Sequence, residues 1–251
     1  MSDHNCSMKV TFLGYHGTFP KAGPATSCVL VETEQGAILL DCGSGSLAQF
    51  FQFCDIPQLK GVLISHLHYD HMGDLGCLQY AINHSVRTGA RTDKVAVYAP
   101  ATPTTMWDAI QYPLTDSIVL EDGMTFELIG IKITVKKVKH TIECYSFRLE
   151  KDGKTVVYFT DTEYIPDGAD FIRGADLFIG DAITSVGTVH STGIGHMSDL
   201  EAGRIAREGE VKTLCLFHLP SDGDVPLMRE RAASEFNGTV MTPDQQRVFL
   251  L

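Results

Sequence analysis

Long hydrophobic runs are missing from this chain, and so is any excess of basic charge. No apolar stretch approaches the ~20 residues needed to cross a bilayer. The start, MSDHNCSMKVTFLG, has no apolar segment behind a basic head. Together these absences predict a soluble cytoplasmic protein with no membrane partner. Lys and Arg number 20 against 31 Asp and Glu, a formal net charge of −11. That balance disfavours broad, sequence-independent nucleic-acid binding, which depends on basic surface. A polyanionic substrate would have to be held locally. Paired cysteines are missing too: Cys6, Cys28, Cys42, Cys54, Cys77, Cys144 and Cys215 are an odd, scattered set without a CxxC. Most lie in apolar segments, so they read as buried, reduced thiols. No repeat, low-complexity tract or long charge block divides the chain. Its 251 residues suffice for one α/β domain, residues 1–251, with a full core.

What is present begins with short β-like runs, KVTFLG, SCVLVE and AILLDCG, then a helix-like SLAQFFQF and the apolar strand GVLIS. LGCLQYAINHSV and TTMWDAIQY read as helices around a strand KVAVYA. A second β block, TFELIG, KITVKKVKH, YSFRLE and TVVYFTD, carries turn signals at Asp122-Gly123 and Asp152-Gly153. DLFIGD and TLCLFH are further strands, and LMRERAASEF is a helix. Another helix starts near Ser198, where Ser198 and Glu201 form a capping box ahead of Leu200, Ile205 and Ala206. Two strand-rich halves, each followed by helices, predict a layered α/β sandwich.

The densest chemistry lies in LISHLHYDHMGD, residues 63–74. His66, His68, Asp70 and His71 follow an apolar strand directly. Where a strand runs into a tight turn, His66 and His68 can face one point while Asp70 and His71 swing toward a second. One loop cannot close two metal sites, so more ligands are needed. Three candidates stand at strand ends: His140 after KITVKKVK, Asp161 after TVVYFT and His218 after TLCLF. Their shared context places them on one rim of the sheets.

With HLHYDH after a strand and these three residues at strand ends, the chain resembles the metallo-β-lactamase superfamily along nearly its whole length. The resemblance implies a four-layer αβ/βα sandwich with the metal site at one edge of the two β-sheets. It also implies that His66, His68 and His140 hold one metal, that Asp70, His71 and His218 hold a second, and that Asp161 bridges them. Nitrogen-rich ligation makes zinc the first expectation, with manganese or iron as alternatives. Asp161 stands where many β-lactam hydrolases use cysteine, which argues against that activity.

Within the superfamily, LGYHGTFP, LLDCG and GHMSDLEAGRIAREGEVKTLCLFH resemble ribonuclease Z and its small phosphodiesterase relatives. His196 lies 22 residues before His218, as a histidine near the catalytic centre does in ribonuclease Z. Ribonuclease Z commonly carries its tRNA-gripping arm between the third histidine ligand and the bridging aspartate. Here His140 and Asp161 are 21 residues apart, and a hairpin fills the interval. The resemblance therefore implies a small phosphodiester or nucleotide as substrate, with RNA less favoured, and a homodimer as the default assembly. A hydroxide bridging the metals would attack phosphorus in line, Asp70 would take its proton, and His196 would contact a non-bridging oxygen or protonate the leaving alcohol. A ribonuclease Z-type tRNA 3′ endonuclease, a lactone or thioester hydrolase, and a metal-binding regulatory protein without turnover are the competing readings.

Around these residues, Asp41 and Asp181 end strands. Asp41 can orient a ligating imidazole, with an ordinary strand-end carboxylate as the equal alternative for both. Gly14, Gly17 and Pro20 let the first loop approach closely, with His16 read as part of a plain turn. Lys132, Lys136, Lys137 and Lys139 read as solvated strand surface.

Overall fold

The computed structural model describes residues 7–184 and 193–251. Cys6 lies outside them. In chain order the strands of the first sheet are β1 (Lys9–His16), β2 (Ala25–Thr26), β3 (Cys28–Thr33), β4 (Gly36–Leu40), β5 (Leu59–Leu63), β6 (Val95–Ala99) and β7 (Thr115–Val119). Those of the second are β8 (Thr125–Leu128), β9 (Ile131–Val138), β10 (Cys144–Lys151), β11 (Lys154–Phe159), β12 (Leu177–Asp181), β13 (Thr213–Phe217) and β14 (Thr239–Met241). β15 (Val248–Leu250) returns to the first sheet and pairs with β1. The first sheet runs β15-β1-β3-β4-β5-β6-β7, with β2 beside β1, and the second runs β14-β13-β12-β11-β10-β9-β8.

Strand alternation creates three cores. Ile38 and Leu40 of β4 face Val156 and Tyr158 of β11 in the core between the sheets, while Ala37 and Leu39 turn outward. Outside the first sheet, Leu39 and Val62 pack with Phe50 of α1 (Ser46–Phe50) and with Leu78 and Ile82 of α3 (Leu75–Arg87). Outside the second, Val157, Phe159 and Leu214 pack with Ile172 of α5 (Gly168–Ile172), Ile205 of α6 (Asp199–Glu208) and Ala232 of α7 (Val225–Glu235). The order of layers is helix, sheet, sheet, helix, the expected αβ/βα sandwich.

The local signals hold where the period is long. α6 starts at Ser198, whose Oγ accepts the Glu201 N–H at 3.2 Å while Glu201 Oε2 accepts the Ser198 N–H at 2.9 Å. Asp152 and Gly153, with φ of 50° and 74°, close the β10–β11 hairpin as a two-residue turn requires. Of the described cysteines, all free, Cys77 is exposed, against the expectation, because it lies on the outer face of α3; the other five are buried. No helix among the described residues is long and apolar enough to cross a membrane.

Candidate metal centre

Strand β5 ends at Leu63, the chain bends at Ser65, and His68 is extended (φ −76°, ψ 150°) where the chain turns into α2 (Tyr69–Met72). That change from strand to helical turn sends the side chains of one short segment in two directions. His140 follows β9, Asp161 follows β11 and His218 follows β13, all at the same edge. The structure brings all seven sequence-predicted residues together in overlapping groups.

In the first cluster, His68 Nδ1 lies 2.9 Å from His66 Nε2 and 3.2 Å from His140 Nε2. A neutral imidazole carries one N–H, so at most part of this convergence can be hydrogen-bonded. In the second cluster, Asp70 Oδ2 is 3.1 Å from His218 Nε2 and 3.6 Å from His71 Nε2. Asp161 Oδ2 sits between them, 3.2 Å from His71 Nε2, 3.5 Å from His66 and His218 Nε2, and 3.9 Å from His140 Nε2.

Each cluster has its own support. His71 Nδ1 is 2.7 Å from Asp41 Oδ2, and the same carboxylate accepts the Ser65 N–H at 2.7 Å, the Ser65 hydroxyl at 2.9 Å and the Tyr158 hydroxyl at 2.7 Å. Asp181 faces His196 Nδ1 at 2.9 Å and accepts N–H groups of Thr162, Ile183 and Met197; its Oδ1 lies 3.6 Å from His218 Nδ1. His140 Nδ1 donates to the Gly195 carbonyl at 2.7 Å, and His66 Nδ1 meets Ser65 Oγ at 3.0 Å.

His196 stacks on His218 at 5.2 Å and lies edge-on to His140 at 4.9 Å between ring centroids. Its side chain is 17% exposed and that of Asp70 13%, whereas His66, His71, His140, Asp161 and His218 are at most 2%. Asp70 and His196 therefore stand toward the opening.

Backbone strain marks the same edge. Asp41, Asp161 and His218 have φ of 60°, 51° and 54°, a region non-glycine residues rarely occupy. The first loop approaches closely: the Thr18 N–H donates to Asp70 Oδ2 at 2.8 Å, and a Cβ on Gly17 would lie 2.9 Å from the His218 ring. His16 ends β1 and bridges Leu219 through its backbone. Each of the four lysines meets a carboxylate: Lys132 with Glu150, Lys136 with Asp167, Lys137 with Glu143 and Lys139 with Glu163.

Sequence reasoning missed Tyr158, Ser65, Thr18 and Glu163. Tyr158 reads as one more inward residue of an alternating strand, and the backbone donor of Thr18 has no side-chain signal at all.

Burial lowers the proton affinity of His66, His68 and His140. Burial alone would do the same to His71 and His218, but Asp161 outweighs it, aided by Asp41 at His71 and Asp181 at His218; His218 is pushed up to about 10. Burial would raise the Asp70 and Asp161 carboxyls, yet the imidazoles, His218 foremost, hold both below the ordinary carboxylate range. The carboxylates hold protons on His71 and His218, positive charge that metal cations could replace. His71 Nε2 is buried without a hydrogen-bond partner and faces two carboxylates. This orphaned nitrogen, the converging imidazoles and the N/O donor set fit divalent metal ions.

A family model described as a β-lactamase superfamily domain matches residues 37–219, from β4 to just past His218. The chain belongs to that superfamily. It is 34% identical to the probable metallo-hydrolase YhfI of Bacillus subtilis, over 93% of this chain and 96% of that one. The crystal structure of YhfI, described as a metallo-β-lactamase fold protein, superposes with a TM-score of 0.92 over 96% of this chain and 98% of its own. Ribonuclease Z of Clostridioides difficile is 26% identical over 94% of this chain and 96% of the enzyme. A diphosphatase of the PhnP family shares the fold, with a TM-score of 0.73, 20% identity and 94% of each chain covered.

Proposed function

We propose that the protein is a metal-dependent hydrolase that cleaves a small phosphodiester or nucleotide with two divalent cations, zinc first. The convergence of four imidazoles on Asp161 Oδ2, between two separate clusters, carries this reading. His66, His68 and His140 would hold one cation and Asp70, His71 and His218 the other, with Asp161 within reach of both. Bound there, the metals supply the Lewis acidity that activates water and offsets charge on phosphoryl oxygens. Asp70, near the opening, accepts a proton from the attacking water at its carboxylate. His196 gives its Nδ1–H to Asp181, which leaves Nε2 to meet a phosphoryl oxygen or to protonate the leaving alcohol. An anion would be preferred, because two divalent charges would exceed those of the two carboxylates among the ligands, Asp70 and Asp161.

The similarity to YhfI and to ribonuclease Z supports hydrolysis, and the second likeness keeps RNA as the rival substrate. Two features favour the smaller one. The interval between His140 and Asp161 is filled by the β10–β11 hairpin, and the lysines of β9 are engaged by carboxylates rather than free for phosphate. The rim also carries aromatic surface. Tyr69, beside Asp70, is 73% exposed, and Phe19, beside Thr18, is 55% exposed, both available to stack on a base. Parallel assays of cyclic or short nucleotides, a chromogenic diester, an ester, a lactone and pre-tRNA test the reading. Small diesters are expected to turn over fastest at physiological salt. Efficient trimming of pre-tRNA 3′ ends with little activity on small diesters reverses the assignment, and turnover of the lactone alone removes it.

A further inference from the structure

Two residues past Asp161, the Glu163 side chain lies buried and bonded in a way that neither metal cluster requires. It is 5% exposed. Its Oε1 accepts the Gly193 N–H at 2.7 Å and the Gly195 N–H at 3.3 Å, while Oε2 meets Lys139 Nζ at 2.7 Å. Gly193 and Gly195 have φ of 92° and 83°. Two N–H groups from a turn with left-handed residues form an anion-binding concavity, and here the chain's own carboxylate fills it. The turn in turn serves the metal site: the Gly195 carbonyl receives His140 Nδ1–H at 2.7 Å, and His196 is the next residue. The fit is close, since a Cβ on Gly195 would lie 2.6 Å from His140 Nδ1.

The tripeptide Asp161-Thr162-Glu163 thus reaches three parts of the centre. Asp161 stands between the clusters, the Thr162 N–H donates to Asp181, which holds His196, and Glu163 fixes the turn that orients His140. Backbone pairing keeps this strip on β9's end, with the Glu163 N–H donating to the Lys139 carbonyl at 2.9 Å.

We infer that Glu163 is a positioning residue: by clamping the Gly193–Gly195 turn it presents the Gly195 carbonyl to His140, fixing His140 with Nε2 free for metal, and it sets the place of His196. The inference rests on the proposed two-metal reading and predicts a selective effect. The His66, His68 and His140 cluster depends on Glu163; the Asp70, His71 and His218 cluster does not.

Stepwise cobalt(II) titration of the metal-free protein, followed by ligand-field absorption, tests it, with thermal denaturation of each metal-free variant as the check on folding. Glu163→Ala is expected to weaken one of the two binding steps by roughly 10- to 100-fold, the usual loss when a support of a ligating histidine is removed, and to leave the other within a few-fold. Glu163→Gln keeps an oxygen for the two N–H groups but loses the charge, so about a fivefold weakening of the same step is expected. Wild-type protein that binds two cobalt ions, beside a folded Glu163→Ala that matches it at both steps, overturns the role of Glu163 and leaves the two-metal reading standing. Wild-type protein that binds one cobalt ion overturns both. If Glu163→Ala does not fold, Glu163→Gln decides: unchanged stepwise binding reduces Glu163 to a structural brace and overturns the inference.

Discussion

The two side-chain clusters at the sheet edge differ in how they manage charge. The cluster of His66, His68 and His140 is all imidazole, and its supports are a hydroxyl and a peptide carbonyl, Ser65 Oγ and Gly195 O. Burial pushes these histidines toward the neutral form. The cluster of Asp70, His71 and His218 contains a carboxylate and is backed by two more, Asp41 and Asp181. Its histidines are held above their ordinary proton affinity. Neutral imidazoles with neutral supports and basic imidazoles with anionic supports therefore stand side by side, with one oxygen of Asp161 between them. A single fold edge thus holds two different electrostatic environments side by side.

Removing the shared member should break this comparison most completely. Asp161→Ala is expected to lose metal at both clusters and to reduce turnover to background, because Asp161 Oδ2 is within 3.9 Å of an imidazole nitrogen from each. Elemental analysis of protein purified without chelator, set against about two ions per wild-type chain, measures it; a variant that keeps both ions removes Asp161 from the bridging position.

Next comes His196, whose ring lies against a member of each cluster, His140 and His218. His196→Ala is expected to keep the fold and metal content and to lower kcat by roughly 10²- to 10⁴-fold, the range for loss of a general acid or base. The deficit should shrink with acidic leaving alcohols, which need little protonation. Loss of metal would instead make His196 a ligand, and near wild-type turnover on every diester would leave it no catalytic role.

The contrast between the clusters also explains what the sequence displays. HLHYDH is contiguous, so its chemistry is readable from spacing alone, and strand ends are readable from apolar alternation that stops at His140, Asp161 and His218. The strand pattern alone suits a layered α/β sandwich, and the resemblance that these residues carry implies its αβ/βα form. The supports were legible only in part. Asp41 and Asp181 were weighed for their strand-end positions, but the bond from Tyr158 to Asp41 spans 117 residues and follows no period. His68 turns Nδ1 toward its partners while His66 and His140 turn Nε2, a choice of rotamer that residue type cannot encode. The short elements β2, β14 and β15 escaped for another reason: two or three residues, paired at a sheet edge, are too few to establish alternation.

Asp41 sharpens the comparison from one side. Asp41→Asn keeps the shape but gives up the charge that holds His71 Nδ1 at 2.7 Å. A roughly 10- to 100-fold loss of affinity is expected at the second cluster, with a smaller loss at the first, whose Ser65 support the same carboxylate holds. This is the mirror image of the pattern expected for Glu163→Ala, so cobalt titrations of the two variants should weaken different steps. Weakening of the same step in both would mean that the clusters are not separate binding points.

The smallest effect concerns the unaltered protein. If the clusters differ as their charges suggest, metal-free protein should load in two steps, the Asp70, His71 and His218 cluster first. An additional carboxylate about 4 Å from a cation contributes on the order of 4 kcal/mol per unit of cation charge at an effective dielectric of 20. Desolvation and the displacement of protons from His71 and His218 offset most of it, since both imidazoles must release their protons to bind metal. A net preference of about tenfold, or ~1.4 kcal/mol, is therefore expected at neutral pH. Because that release is confined to the second cluster, the preference should grow as pH rises toward 10, where His218 gives up its proton readily. It should narrow or reverse as pH falls. Stepwise cobalt titration at several pH values reads this directly; a preference of the same size at every pH would mean that proton release does not distinguish the two clusters.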